Sequence, residues 1–208
     1  MFLRCQSRST PDRLRCAIVF AMRPDLIKAS KYLSFVLRHR PDAIGLQLDE
    51  QGWATVDELI AAAARHGETL GLDVIRQVVA QNDKKRFALS ENERRIRAVQ
   101  GHSVEIDLRL QPQPPPPHLF HGTATRFLDS IRAQGLRSGD RQHVHLSADE
   151  ETAVQVGARH GTPVVLAIDT SAMQRARHVF YRSENGVWLT DAVPAAFIAF
   201  PTDPIARR

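Results

Sequence analysis

The chain reads as an α+β protein built from two unlike lobes, and three patterns predict it. Helical periodicity dominates residues 22 to 81, while short runs rich in β-branched and aromatic residues dominate after residue 118. Between them stands QPQPPPPHLF, whose consecutive prolines hold the backbone extended and remove the donors that a helix or sheet interior needs. Residues 111–117 are therefore expected to be a linker or hinge between a lobe at 22–110 and a lobe at 118–208.

Before the lobes, residues 1–21 are expected to be an N-terminal extension, because the first well-patterned helix, MRPDLIKASKYLSFVLRH, starts at Met22. The apolar run CAIVFAM in that extension is too short to span a bilayer, and the arginine-rich segment before it has no secretory cleavage pattern. Both cysteines, Cys5 and Cys16, lie there as well, so neither a disulfide framework nor a cysteine-rich zinc site organises the fold, and a cytoplasmic protein is expected. Helices follow at WATVDELIAAAARH and DVIRQVVAQN, with Thr55 and Asp73 near their starts. The segments RFALS and RIRAVQ alternate as strands around ENER, and GHSVEIDL extends the β character. Three helices followed by a two-stranded wing predict a winged-helix-like lobe. Beyond the linker, HLFHGT, HVHLS, PVVLAID, VFYRS, GVWLT and FIAFP read as strands, and ATRFLDSIRAQG and DEETAVQVGARHG as helical intervals. This second lobe is mixed α and β, and the absence of any GxGxxG or GxxxxGK[ST] loop disfavours an ordinary dinucleotide fold or a nucleotide triphosphatase.

Lys and Arg outnumber Asp and Glu by 28 to 23, and the net charge of +5 favours polyanionic partners. The cations are clustered. Arg38, His39 and Arg40 follow an apolar helical run and precede Pro41. They suit a helix C-terminus, where each cation offsets the dipole by about 0.3–1 kcal/mol. They also suit a phosphate, which guanidinium forks bind bidentately and to which a histidine can donate a hydrogen bond or a proton. Lys84, Lys85 and Arg86 precede the first wing strand and Arg97 lies in the second, so solvated strand ends account for them too. Alternation nevertheless puts Phe87 and Leu89 on one face and turns Arg86 to the other, where it can meet the Arg38 helix end. In RQHVHLS, Arg141, His143 and His145 recur at spacing two, and the histidine pair has a zinc-like geometry that no nearby ligand pattern completes. In FHGT, Gly122 after His121 leaves room for a ligand at the backbone, and the Thr123 hydroxyl suits a ribose or an amide.

Taken in order, LRHRP, NDKKRF, IRAVQGHS, FHGT, RQHVHLS and NGVWLT resemble the RNA 2′-phosphotransferase, or tRNA 2′-phosphotransferase, family over residues 25 to 201. The resemblance implies an ADP-ribosyltransferase-like second lobe facing the winged-helix lobe across a cleft. It implies transfer of an internal RNA 2′-phosphate to ADP-ribose, with NAD consumed as co-substrate. RNA-2′-phospho-ADP-ribose forms first, and RNA 2′-OH, nicotinamide and ADP-ribose 1″,2″-cyclic phosphate are the products. By motif, Arg38, His39, Arg86 and Arg141 are the implied catalytic residues. His121, Gly122, Thr123, His145, Ser147 and Val187 are the implied NAD contacts, with Val187 where many protein-modifying relatives of the fold carry a glutamate. The implied partners are NAD and an RNA bearing an internal 2′-phosphate, tRNA among them; no metal, membrane or obligate protein partner is implied. Phe120 departs from the tyrosine expected beside His121. The run Gln100 to Ser103, also family-like, suits either a lining of the RNA or phosphate side or a structural turn, with Arg97 in the same class, and Glu184 receives no catalytic role. ADP-ribosylation without phosphate removal, or RNA binding alone, stand as the other readings.

Overall fold

The computed structural model describes residues 24–82 and 84–201. The expectations for the extension at 1–21 and for a helix start at Met22 lie outside the described residues.

Helix α1, Pro24–Arg38, has proline at its first position and Asp25 in its first turn, both favourable where N–H groups lack partners. Leu26, Leu33, Val36 and Leu37 form its inner face and are wholly buried. Each such side chain contributes about 1.5–3 kcal/mol of burial. Strand β1, Ala54–Thr55, leads into α2, Val56–Arg65, and the Thr55 hydroxyl caps that helix by accepting from the Glu58 N–H at 3.3 Å. Helix α3, Leu72–Ala80, starts from Gly71, with the expected Asp73 in its first turn. Strands β2, Phe87–Leu89, and β3, Arg95–Ala98, complete an antiparallel sheet of order β1-β3-β2, with Phe87 opposite Ala98 and Ala54 opposite Ile96. GHSVEIDL is not a strand, contrary to expectation. Gly101 turns the chain with φ +85°, and the backbone then bonds elsewhere: Ser103 N–H to Arg38 C=O, and Asp107 N–H to Glu50 C=O, each at 2.9 Å.

The second half begins with β4, His118–Ala124, followed by α4, Leu128–Gln134, β5, Leu136–Arg137, β6, Val144–Leu146, and α5, Glu150–Gly157. Next come β7, Pro163–Asp169, α6, Thr170–Arg175, β8, Tyr181–Arg182, β9, Trp188–Thr190, β10, Ala192–Val193, and β11, Ile198–Ala199. They form sheets of order β11-β7-β4 and β6-β9-β8 and a β10-β5 pair. Phe120 and Ser147 exchange backbone hydrogen bonds of 2.9 and 2.8 Å, which join the two three-stranded sheets. Helix α5 lies against β4 so closely that a Cβ on Gly122 would stand 1.7 Å from the Ala153 carbonyl oxygen, and one on Gly157 2.5 Å from that of Thr123. Gly122 is thus required by helix packing, and the side on which its sequence context suggested room for a ligand is filled by α5.

Two hydrophobic cores result, one around Leu33, Leu59 and Ile96, the other around Leu119, Leu166, Ile168 and Phe180. The proline block is tied down rather than loose. Gln113 N–H donates to Phe180 C=O at 2.8 Å, Thr170 N–H donates to Pro117 C=O at 3.2 Å, and the Thr170 hydroxyl donates to Pro116 C=O. Among the described residues, no helix is long and apolar enough to cross a membrane.

Candidate active site

Helix α1 stops where the cations begin. His39 and Arg40 N–H groups both donate to Phe35 C=O, and Pro41 has no N–H to continue the ladder. Arg38, the last helical residue, turns inward and is only 9% exposed. Its guanidinium lies over the Phe87 ring at 5.8 Å and donates to Arg86 C=O at 3.4 Å, while its Nε has no partner. Burial first, then the neighbouring charges of Arg86 and Arg141, push Arg38 down to about 10, so it remains a cation at neutral pH. Arg86 is held by Asn82 Oδ1 at 3.2 Å and is itself lowered by burial and by Arg159. Among the described residues, no carboxylate pairs with Arg38, Arg86 or Arg141. Arg40 behaves differently: it is exposed and grips Asp42 through three hydrogen bonds of 3.0–3.2 Å. Arg38 is buried, Arg86 half-buried and Arg141 exposed, so a buried cation lies beside like charges without an anion, which is costly, and a bound phosphate relieves that cost.

His39 stands beside this cluster with Nδ1 3.0 Å from the Ser103 hydroxyl, which also lies 3.4 Å from Arg38 C=O. A serine that donates to that carbonyl accepts from Nδ1–H, so Nε2 of His39 is left as the free lone pair. Burial, then Arg38 and Arg141, lower the His39 pKa.

On the other side, His145 places Nε2 2.6 Å from Gln100 Oε1 and Nδ1 3.5 Å from the Arg141 guanidinium. A guanidinium can only donate, so Nδ1 must be the acceptor and Nε2 must carry the proton, which in turn requires the oxygen of Gln100 to face it. Burial, then Arg141 and Arg38, push His145 down to about 3, holding it in this neutral form. Gly101 fits between the two groups: a Cβ there would stand 3.6 Å from Arg38 and 3.8 Å from the His145 ring. His102 beneath is 1% exposed with neither ring nitrogen bonded, and burial followed by Arg38, His39 and Arg97 lowers it to about 4.

The remaining expected residues occupy the adjoining sheet edge. His121 Nδ1 lies 3.1 Å from His145 C=O and therefore donates to it, leaving Nε2 as an acceptor; burial lowers its pKa. Thr123 is buried on the same strand, and Ser147 is bridged to Phe120. Val187 precedes Trp188, which pairs with Leu146, so Val187 and Ser147 lie at the same end of the β6–β9 pair. His143 turns to other partners: its ring meets Tyr181 edge-on at 5.7 Å and its Nε2 is 3.8 Å from Asp191. Among the described residues, no group of three or more His, Cys, Asp or Glu converges as metal ligands.

The loop after β8 joins the two halves. Glu184 pairs with Arg97, whose guanidinium stacks on Trp53 at 4.6 Å, and the Asn185 amide donates to Lys84 C=O at 2.8 Å. Sequence reasoning missed this contact and the charge of Arg159 near Lys84 and Arg86, and it left Gln100 and Ser103, which here bond His145 and His39, between a phosphate-side lining and a turn. The only sequence signal for Arg159 is its RHG context beside a helix end, which echoes RHRP at Arg38.

Cations gathered around buried Arg38 without a carboxylate partner, flanked by histidines whose protonation is set by their neighbours, suit an anionic ligand. Residues 24–192 match the family described as RNA 2′-phosphotransferase, Tpt1 / KptA family. A relative from Burkholderia lata is 58% identical over 176 residues, covering 84% of this chain and 91% of its own length. One from Acaryochloris marina is 57% identical, covering 85% and 97%, and one from Agrobacterium fabrum is 58% identical, covering 86% and 96%. All three are named probable RNA 2′-phosphotransferases. The chain belongs to this family and is a transferase.

Proposed function

We propose that the protein removes an internal RNA 2′-phosphate by NAD-dependent transfer to ADP-ribose. The observation that carries this reading is the convergence of Arg38, Arg86 and Arg141 without a carboxylate partner, next to His39. The three guanidinium groups hold the 2′-phosphate and stabilise its charge as it is redistributed, without reorganising. His39, with Nε2 unpaired, moves the proton between the ribose hydroxyl and the departing RNA 2′-oxygen. The donor set at the sheet edge fits NAD: Nε2 of His121 accepts from a ribose hydroxyl, and the Thr123 and Ser147 hydroxyls suit a ribose or carboxamide. NAD supplies the ribose carbon that the phosphate attacks, with nicotinamide leaving. A hydrophobic Val187, in place of a carboxylate, leaves the neighbouring ribose 2″-hydroxyl free to attack phosphorus in the second step, which releases RNA 2′-OH and ADP-ribose 1″,2″-cyclic phosphate.

The same reading assigns residues 22–110 to a winged-helix-like RNA lobe, 111–117 to the linker and 118–208 to an ADP-ribosyltransferase-like NAD lobe. The separate cores, and a β1-β3-β2 sheet whose strands β2 and β3 follow three helices, support it. The substrate is then any RNA bearing an internal 2′-phosphate, tRNA among them, met in the cytoplasm; phosphate contacts position such a strand without reading its bases. The test is single-turnover incubation with an RNA carrying one internal 2′-phosphate, with and without NAD. NAD-dependent loss of the phosphate with formation of the cyclic product is expected, and His39→Ala slows at least one step. Accumulation of RNA-2′-phospho-ADP-ribose as the end product, in the unaltered protein, would show a transferase that stops at the first step.

A further inference from the structure

Helix α1 carries a second stripe besides the one facing the core. Ile27, Lys31, Phe35 and His39 follow at intervals of four, so Lys31 and Phe35 sit on one row that leads off the end of the helix to His39, each step rising about 6 Å. Ile27 is 42% and Phe35 45% exposed, and Lys31 is exposed between them. Isolated exposed apolar residues are ordinary, but these line one groove of about 390 Å³ with Ser30, Ser34, His39 and Arg86. Its inner end is tied to the phosphate cluster: buried Asn82 reaches Ser30 Oγ at 3.5 Å and holds the Arg86 guanidinium at 3.2 Å. Among the described residues, Lys31 has no ion-pair partner, unlike Lys28, which pairs with Glu68 at 2.9 Å.

We propose that this groove is a binding track for the single-stranded RNA flanking the 2′-phosphorylated nucleotide, with Phe35 stacking a base and Lys31 contacting a phosphodiester. The inference rests on the function proposed above, since the strand must leave the Arg38, His39 and Arg86 cluster at its open side. The observations favour a nucleic acid as occupant. An aromatic face beside a lone cation, continuous with a phosphate clamp, is the combination that holds a strand irrespective of sequence. The groove also runs unbroken into the clamp, whereas a protein partner seated there would cover His39.

The test compares a 2′-phosphorylated dinucleotide with an oligonucleotide long enough to cross the groove, in the full chain. Phe35→Ala should raise the half-saturating concentration of the oligonucleotide about tenfold while the saturating rate is retained, and Phe35→Trp should restore it. Lys31→Gln should reduce the slope of log affinity against log salt by roughly one phosphate contact. The dinucleotide should respond to neither change. Equal losses on both substrates would mean that the variants disturb His39, and unchanged half-saturation would mean that no base rests on Phe35; either overturns the proposal. A change in sedimentation of Phe35→Ala without a change in oligonucleotide binding would assign the groove to a second copy of the chain instead. Fluorescence anisotropy with an unphosphorylated oligonucleotide reads the groove even if the protein converts neither substrate, so failure of the track and failure of the proposed reaction are told apart.

Discussion

Arg38 and Arg40 are two residues apart and face opposite circumstances. Arg40 is exposed and neutralised by Asp42, an arrangement worth little to stability. Arg38 is buried against Phe87 with like charges as its neighbours. Arg38→Lys should therefore lower the single-turnover rate about a hundredfold or more, because an ammonium cannot reproduce the fork that reaches both Arg86 C=O and a phosphate. Arg40→Ala should leave that rate near the unaltered value. The hydrogen bond from His145 to Gln100 makes a second prediction. Gln100→Leu removes the acceptor that fixes the proton on Nε2, so the Nδ1–H form points a proton at Arg141. A rate loss of about ten- to a hundredfold is expected, as for other groups that orient a histidine, together with a change in the His145 ring nitrogen shifts that report the tautomer. The cationic tripeptide RHR was plain in the sequence. Which arginine serves chemistry was not, because a helix end presents successive side chains in different directions and only packing decides which one turns inward.

Among the elements, those with long periodic patterns were the legible ones: α1, α2 and α3, and the paired strands β4 and β7, all appear where the spacing places them. The misses share a cause. GHSVEIDL alternates like a strand, yet its backbone bonds to Arg38 and Glu50, and α6 is a six-residue helix whose start at Asp169 was hidden by the strand running into it. Such segments take their form from distant partners, which outweigh local propensity. The contact of α5 with β4 is the clearest element-scale constraint. Gly122→Ala should lower stability by about 3 kcal/mol or more in urea unfolding, because the new methyl group meets backbone and not a side chain that can move aside. Gly71→Ala, at an open helix start with nothing within 4 Å, should cost less than about 1 kcal/mol.

For the whole molecule, the buried histidines couple stability to pH. His102 and His145 are pushed to about 4 and about 3, so the folded chain keeps both neutral while the unfolded chain protonates them near the ordinary value of 6.5. The unfolded state then binds more protons, and stability present above that value is lost as pH falls toward 4. Each of the two contributes a slope of about 1.4 kcal/mol per pH unit, and His39 and His121, lowered as well, add to it. Urea midpoints should therefore drop steeply between about pH 6 and 4.5, and uptake of at least about two protons should accompany unfolding. RNA or phosphate bound at the cluster should oppose that loss, because it stabilises only the folded chain. At this scale the sequence by itself determined the mixed α and β composition, the order of the long periodic elements and the inventory of cationic and histidine residues. These are local properties of spacing and residue type. Only the tertiary structure decided that Arg86 and Arg141 bring their charges to the buried Arg38, that Gln100 and Ser103 set the protons of His145 and His39, and that Glu184 and Asn185 fasten the halves together. Those facts depend on residues up to about a hundred positions apart, and a chain carries no record of such distances until its hydrophobic cores have closed.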